Sequence, residues 1–201
     1  MRMGFDLDDV VFISLPGILD EGIRLGLIPD WVEPHHINGR VEEQWGISAE
    51  DMRRLLSVDF FERLKPNNEV VSDIQRWIDE GEEVFFITSR SDDFTPGIIT
   101  STAGCVERCG LLRGSKGVYH ERSRTKWRLA RDLELVSFVD DMPHVIRPMA
   151  GVIPHAYLLA NEHNRDAEDV RRWSWAEVRE DIETVRRSHG QMCSGATSSV
   201  E

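Results

Sequence analysis

Apolar and polar positions follow two rhythms along this chain. A short apolar start, Met3 to Leu7, predicts a buried strand that runs straight into acid at Asp6, Asp8 and Asp9, before Val10-Val11-Phe12-Ile13 turns apolar again. If that strand holds, Asp6 and Asp8 share one face, because strand side chains alternate with period two. From residue 14 the rhythm becomes helical. Ser14 is placed to cap, and Leu15, Ile18, Leu19, Ile23 and Leu27 recur three to four apart. Residues 31–46 are irregular, with Pro34, His35, His36, Asn38 and Gly39. Ser48 opens another helix with Met52, Leu55 and Leu56 on its apolar face, and residues 58–64 lead to Pro66. No clear strand is expected between residues 14 and 66.

Beyond residue 67, strands and helices alternate. A helix over about 68–80 carries Val70, Val71, Ile74, Trp77 and Ile78 on one stripe and stops at Gly81. Glu83 to Ile87 reads as a buried strand ending in Thr88-Ser89-Arg90. A helix opens at Thr95-Pro96, and a short strand is expected over 116–120. A helix capped by Ser123 carries Lys126, and a strand over 136–139 ends in Asp140-Asp141. A short helix, a strand over 156–159 and a long helix over about 167–187 complete the pattern. The tail from His189 is small and polar and is expected to be disordered. Such alternation predicts a parallel sheet covered on both faces. Ligands bind beyond the carboxyl ends of such strands. Asp6/Asp8, Thr88/Ser89 and Asp140/Asp141 all fall at those ends, so three separate segments deliver polar groups to one edge.

Composition narrows the possibilities. At 201 residues with 40% apolar content, the chain can bury the core of one ordinary domain, with room for a small inserted lobe. A net charge of -12 argues against nonspecific nucleic-acid binding, which relies on basic surfaces. No apolar run is long enough to span a bilayer. Acid at Asp6, Asp8 and Asp9 occupies the place where a secretion signal would be apolar. The three cysteines suit neither a disulfide framework nor a zinc site, so reduced thiols and a cytoplasmic protein are expected.

Several carboxylates, two hydroxyls and a lysine at one sheet edge suit Mg2+ and a phosphoryl group. Magnesium takes oxygen ligands and shares carboxylates with substrate phosphate. Asp6 and Asp140 are the candidate ligands. A carboxylate can also attack phosphorus and form an aspartyl-phosphate. Asp8 can protonate the leaving oxygen and later activate water. Thr88, with Ser89 beside it, can donate to a phosphoryl oxygen, and Lys126 can neutralise charge next to Asp6. Arg90 follows directly and is a candidate for substrate contact. Trp31 or Trp45 could stack on a base, and the His35-His36 pair is expected to face solvent.

Asp6-Leu7-Asp8-Asp9-Val10, then apolar-Thr88-Ser89, then Lys126, then apolar-Asp140-Asp141 resembles the four ordered motifs of the haloacid-dehalogenase-like (HAD) phosphohydrolases. Within that superfamily the chain most resembles the 5′(3′)-deoxyribonucleotidase-like family. That closer likeness rests on Phe61 with Leu64-Lys65-Pro66, Phe86-Ile87-Thr88-Ser89-Arg90, Asp140-Asp141-Met142-Pro143, Leu159 to Asn164, and residues 171–175.

The resemblance implies an α/β fold, a Rossmann-like three-layer sandwich with a central parallel sheet and a small helical cap inserted after the first strand. Residues 1–13 and 67–188 would form the core, 14–66 the cap, and 189–201 a disordered tail. It implies Asp6 as nucleophile and metal ligand, and Asp8 as general acid/base that also gives its backbone carbonyl to the metal. Thr88 would bind phosphate, Lys126 would hold nucleophile and phosphate together, and Asp140 would complete the metal site with Asp141 beside it. Asp9 stands where many members have glycine, and no role is assigned to it.

The function expected is magnesium-dependent phosphomonoester hydrolysis through an aspartyl-phosphate, with a small phosphorylated substrate, a (deoxy)ribonucleoside monophosphate. The alternatives are a HAD phosphatase for a sugar phosphate or a nucleic-acid end, and a phospho-accepting signalling module. The inserted lobe and the acidic pair after Lys126 fit the signalling module poorly.

Overall fold

A computed structural model describes residues 1–37 and 41–195, with residues 190–195 described by their backbone. In chain order the elements are β1 (Arg2–Phe5), β2 (Phe12–Ile13), α1 (Leu15–Arg24), α2 (Val41–Trp45), α3 (Ala49–Leu55), α4 (Val58–Glu62), β3 (Lys65–Pro66), α5 (Asn68–Asp79), β4 (Glu83–Thr88), α6 (Ile98–Arg108), β5 (Val118–His120), α7 (Lys126–Asp132), β6 (Ser137–Asp140), α8 (Pro143–Met149), β7 (His155–Leu159), β8 (Arg172–Trp173) and α9 (Trp175–Gly195). Single 3-10 turns lie at Pro34–His36 and Glu162–Asn164.

Six strands form one parallel sheet in the order β5-β4-β1-β6-β7-β8. The chain winds outward from β1 in both directions, so β1 and β6 flank the switch point where such sheets bind ligands. Strand residues alternate between two cores. Val84 and Phe86 of β4 face Ile74, Trp77, Val106, Val178 and Ile182 from α5, α6 and α9. Phe85 and Ile87 face Ala130, Val145, Ile146 and Met149 from α7 and α8. That two-sided burial gives the three-layer sandwich its near-continuous apolar strands. Gly4 is required by the close approach of β6, because a Cβ there would lie 2.5 Å from both Leu135 and Phe138 side-chain carbons.

The β2–β3 pair is antiparallel, with Phe12 opposite Pro66 and Ile13 opposite Lys65. It brackets the helical segment that carries α1 to α4, and puts a strand at residues 65–66 where none was expected. The pair is two residues long, too short to show a period. The segment has its own small core of Leu15, Leu19, Ile28, Val32, Ile37 and Val41. A second contact, Phe60 and Phe61 of α4 against Ile98 of α6, seats it on the sandwich.

The last helix also departs from expectation. It begins at Trp175 rather than near Ala167, and β8 precedes it. The cause is a capping box. Glu177 Oε2 accepts from the Ser174 amide and hydroxyl, while the Glu177 amide donates to Ser174 Oγ. The helix continues to Gly195, past the start of the expected tail, and residues 196–201 lie outside the described residues. Among the described residues no helix is long and apolar enough to cross a membrane.

Trp77 joins the layers. It is fully buried, stacks on Phe5 at 6.0 Å, and donates its indole N–H to Glu183 Oε1 at 2.7 Å. Trp77→Ala is expected to cost about 3–5 kcal/mol, read as a fall in the urea midpoint with an unchanged slope. A cost under about 1 kcal/mol would show that this corner of the core collapses without strain.

Candidate active site

Strand β1 ends at Phe5, one residue before the acid. Asp6 still extends the ladder, its amide donating to Val139 O at 2.9 Å. The chain then turns: the Val11 and Phe12 amides both donate to Leu7 O. Asp6 and Asp8 therefore converge through a turn rather than along one strand face. Asp9 sits at φ 53°, a left-handed conformation that aspartate tolerates.

Asp6, Asp140 and Lys126 form the centre. Lys126, the first residue of α7, is 1% exposed, and its Nζ lies 2.9 Å from Asp6 Oδ1 and 2.8 Å from Asp140 Oδ2. Leu7 N donates to Asp6 Oδ1, and Met142 N donates to Asp140 Oδ1. Burial alone would lower the Lys126 pKa, but Asp140 and Asp6 outweigh it and raise it. The reverse holds for the acids. Burial pushes Asp6 up to about 7, with Asp140 and Asp8 adding to the rise and Lys126 opposing it. Asp140 is also raised, first by burial. One ammonium thus leaves this cluster short of positive charge.

Around this centre lies a second ring of polar groups. Asp141 Oδ2 lies 2.7 Å from His163 Nε2, and the Asp141 carbonyl accepts from Asn164 Nδ2 at 2.7 Å. Burial raises Asp141, with His163 opposing. Asn164 also donates to Leu159 O and accepts from Asn161 N and Arg172 Nε, which pins the loop after β6 to the end of β7. Asp9 caps α1, because its Oδ1 accepts from the Ser14 and Leu15 amides. Ser14, expected to cap with its own side chain, instead donates its hydroxyl to Asp8 Oδ1 at 2.7 Å.

Thr88 is fully buried at the end of β4, and its Oγ1 accepts from the Arg90 amide at 3.3 Å. Ser89 is exposed. It lines a cleft of about 200 Å³ with Asp8, Arg90, Phe94 and two residues of the helical segment, Leu56 and Phe61. Arg90 is 7% exposed, and its guanidinium is turned onto Asp8. Burial disfavours the charged Asp8, but Arg90 outweighs it and holds the carboxyl below its ordinary range. Trp31 is 65% exposed with its ring edge-on to His36, and Trp45 packs on the small core of the helical segment. Neither lines that cleft.

His163, Asn161 and Asn164 stood in a segment already singled out, but nothing in its spacing assigned His163 to Asp141, and Ser14 was read only as a helix cap and not as a partner of Asp8.

The fold is that of HAD-superfamily hydrolases and phosphatases. A predicted phosphatase from Clostridium acetobutylicum matches with a TM-score of 0.59, at 14% identity over 91% of this chain and 98% of that one. The D,D-heptose 1,7-bisphosphate phosphatase from B. bronchiseptica, solved with magnesium and phosphate, matches with a TM-score of 0.51, at 13% identity over 92% and 99%. In sequence, the chain is 21% identical over 187 residues to a Bacillus cereus protein described as "Putative nucleotidase", covering 89% of this chain and 96% of that one. No model of a known protein family matches.

The donor set fits a hard divalent cation. Carboxylate oxygens of Asp6, Asp140 and Asp141 lie within 4.8 Å of one another and are buried. Burial raises the pKa of all three, and a cation held between them would favour their ionised forms. The Asp8 side chain lies outside that set, taken by Arg90 and Ser14. Mg2+ at about 100 times its Kd is expected to stabilise the protein by about 2.7 kcal/mol. Thermal unfolding with and without Mg2+ measures this. Asp140→Asn should lose most of the shift, and an equal shift in that variant would place the cation elsewhere.

Proposed function

We propose that this protein is a magnesium-dependent phosphomonoesterase that forms an aspartyl-phosphate on Asp6 and acts on nucleoside monophosphates. The observation that carries the proposal is the buried bridge of Lys126 between Asp6 and Asp140 at the switch point of the sheet. The Mg2+ held by Asp6 and Asp140, with Asp141 adjacent, would withdraw charge from the phosphoryl oxygens.

The chain's own groups supply the remaining chemistry. A carboxylate oxygen of Asp6 attacks phosphorus, and the bond from phosphorus to the leaving oxygen breaks with its electron pair on that oxygen. Asp8 carries the proton that the leaving oxygen takes up. Water then attacks the same phosphorus, gives its proton to Asp8, and returns the bonding pair to the Asp6 carboxylate. Lys126 holds Asp6 in place and offsets the charge the incoming phosphate adds. The Thr88 hydroxyl donates to a phosphoryl oxygen, with Ser89 at the rim.

The leaving group is assigned to the cleft between the helical segment and the sandwich, where Leu56, Phe61 and Phe94 give apolar and aromatic surface beside Ser89. A flat base on a sugar suits that mixture better than a sugar alone. The sequence likeness to the Bacillus cereus protein points the same way. In this division, residues 1–13 and 67–188 form the catalytic core and 14–66 the cap.

Phosphate release with Mg2+ tests the substrate against a panel of 5′- and 3′-nucleoside monophosphates and sugar phosphates. Nucleotides are expected to be preferred, and equal turnover of sugar phosphates would remove the nucleotide assignment. Asp6→Asn is expected to cut kcat by at least about 10³-fold, and full activity in that variant would sink the mechanism.

A further inference from the structure

The two half-reactions ask opposite things of Asp8. It must give a proton to the leaving oxygen and later accept one from water. The structure bears on which of these its surroundings favour.

Arg90 Nε donates to Asp8 Oδ2 at 3.0 Å, and Nη2 donates to Oδ1 at 2.8 Å, a two-pronged grip on both oxygens. Ser14 Oγ donates to Oδ1 at 2.7 Å. A carboxylate offers about four lone-pair positions. Both on Oδ1 are filled and one on Oδ2 is filled, which leaves one on Oδ2 open to receive a proton. The guanidinium is itself held. It lies 4.3 Å from the ring centroid of Phe61 on α4 and 5.5 Å from that of Phe12 on β2, with Nη1 3.4 Å from Thr102 Oγ1. A guanidinium so enclosed has little freedom to leave Asp8 for a ligand.

We propose that Arg90 is a positioning residue that holds Asp8 as the proton acceptor for hydrolysis of the Asp6 phosphoryl ester, and that Phe61 of the helical segment keeps it there. In that step a water oxygen forms the new bond to phosphorus, and the phosphorus–Asp6 oxygen bond breaks with its pair returning to Asp6. The water proton goes to the open position on Asp8 Oδ2, and inorganic phosphate leaves. The proposal rests on the phosphomonoesterase assignment above. It adds a residue whose loss is felt in the second half-reaction.

The experiment uses p-nitrophenyl phosphate with Mg2+, because nitrophenolate leaves without needing a proton. Steady-state kinetics give kcat/KM, which reports the steps through nitrophenolate release. A chase after radiolabelling the phosphoenzyme gives the decay rate of the second step directly. Arg90→Met is expected to slow that decay at least about 10-fold, while kcat/KM falls by a clearly smaller factor, so that KM falls along with kcat. Arg90→Lys, which keeps the charge and loses the fork, should fall between Arg90→Met and the wild type. Phe61→Leu leaves Arg90 intact and removes a ring face, and should slow decay about 2- to 5-fold. Thermal unfolding with Mg2+ verifies that each variant is folded.

A purely structural role would lower kcat and kcat/KM in parallel, and that result, or an unchanged decay rate in Arg90→Met and Phe61→Leu, overturns the proposal. Wild-type protein that releases no nitrophenolate overturns the phosphomonoesterase assignment and this proposal with it. Normal wild-type release with unaltered decay in the variants overturns this proposal alone.

Discussion

The site depends on one buried ammonium. Lys126 is shut away from water between Asp6 and Asp140, and a buried charge of either sign is costly unless paired. The pairing ties three elements together: the end of β1, the end of β6 and the start of α7. Sheet order makes this possible, because outward winding from β1 leaves β1 and β6 adjacent with their carboxyl ends free of crossing helices. Yet the lysine settles only part of the account. Asp6 stays pushed up to about 7 and Asp141 is raised as well, so the pocket favours additional positive charge.

Each acid in the opening loop has different partners. Asp6 faces Lys126, Asp8 faces Arg90 and Ser14, and Asp9 faces the first amides of α1. That separation lets Asp6, Asp8 and Asp9 crowd one sheet edge without a single shared fate. It also joins the site to the helical segment at two points. Ser14 precedes α1, and Phe61 of α4 lies against the Arg90 guanidinium. A shift of that segment would therefore reach Asp8 through side chains already in contact.

Much of the fold was legible because buried parallel strands leave long apolar runs. Glu83 to Ile87 and residues 136–139 announced themselves, and each ended in the polar residues that now line the site. Asp6 and Asp140 come together at one sheet edge, and Lys126 reaches both from the start of α7 rather than from a strand end. Short features were harder to see. The two-residue strands β2, β3 and β8 are defined by partners far away in sequence, so no local period marks them. The start of α9 was visible in principle as Ser174 followed three residues later by Glu177, the spacing of a capping box. Ser14 looked like a cap by type and spacing, and Asp9 took that place because the tight turn at Leu7 brings its carboxylate to the helix start. The pairings Arg90 with Asp8 and His163 with Asp141 join residues 82 and 22 apart, which spacing alone cannot reveal.

The central claim is that the phosphoryl group passes through Asp6. Borohydride reduces an aspartyl-phosphate to homoserine, so treatment during turnover followed by peptide mass spectrometry locates the bond. The account predicts homoserine at position 6 when Mg2+ and a turned-over phosphate ester are both present, and aspartate there when either is withheld. Phosphate release without any homoserine at position 6, or homoserine at Asp8 instead, would contradict it.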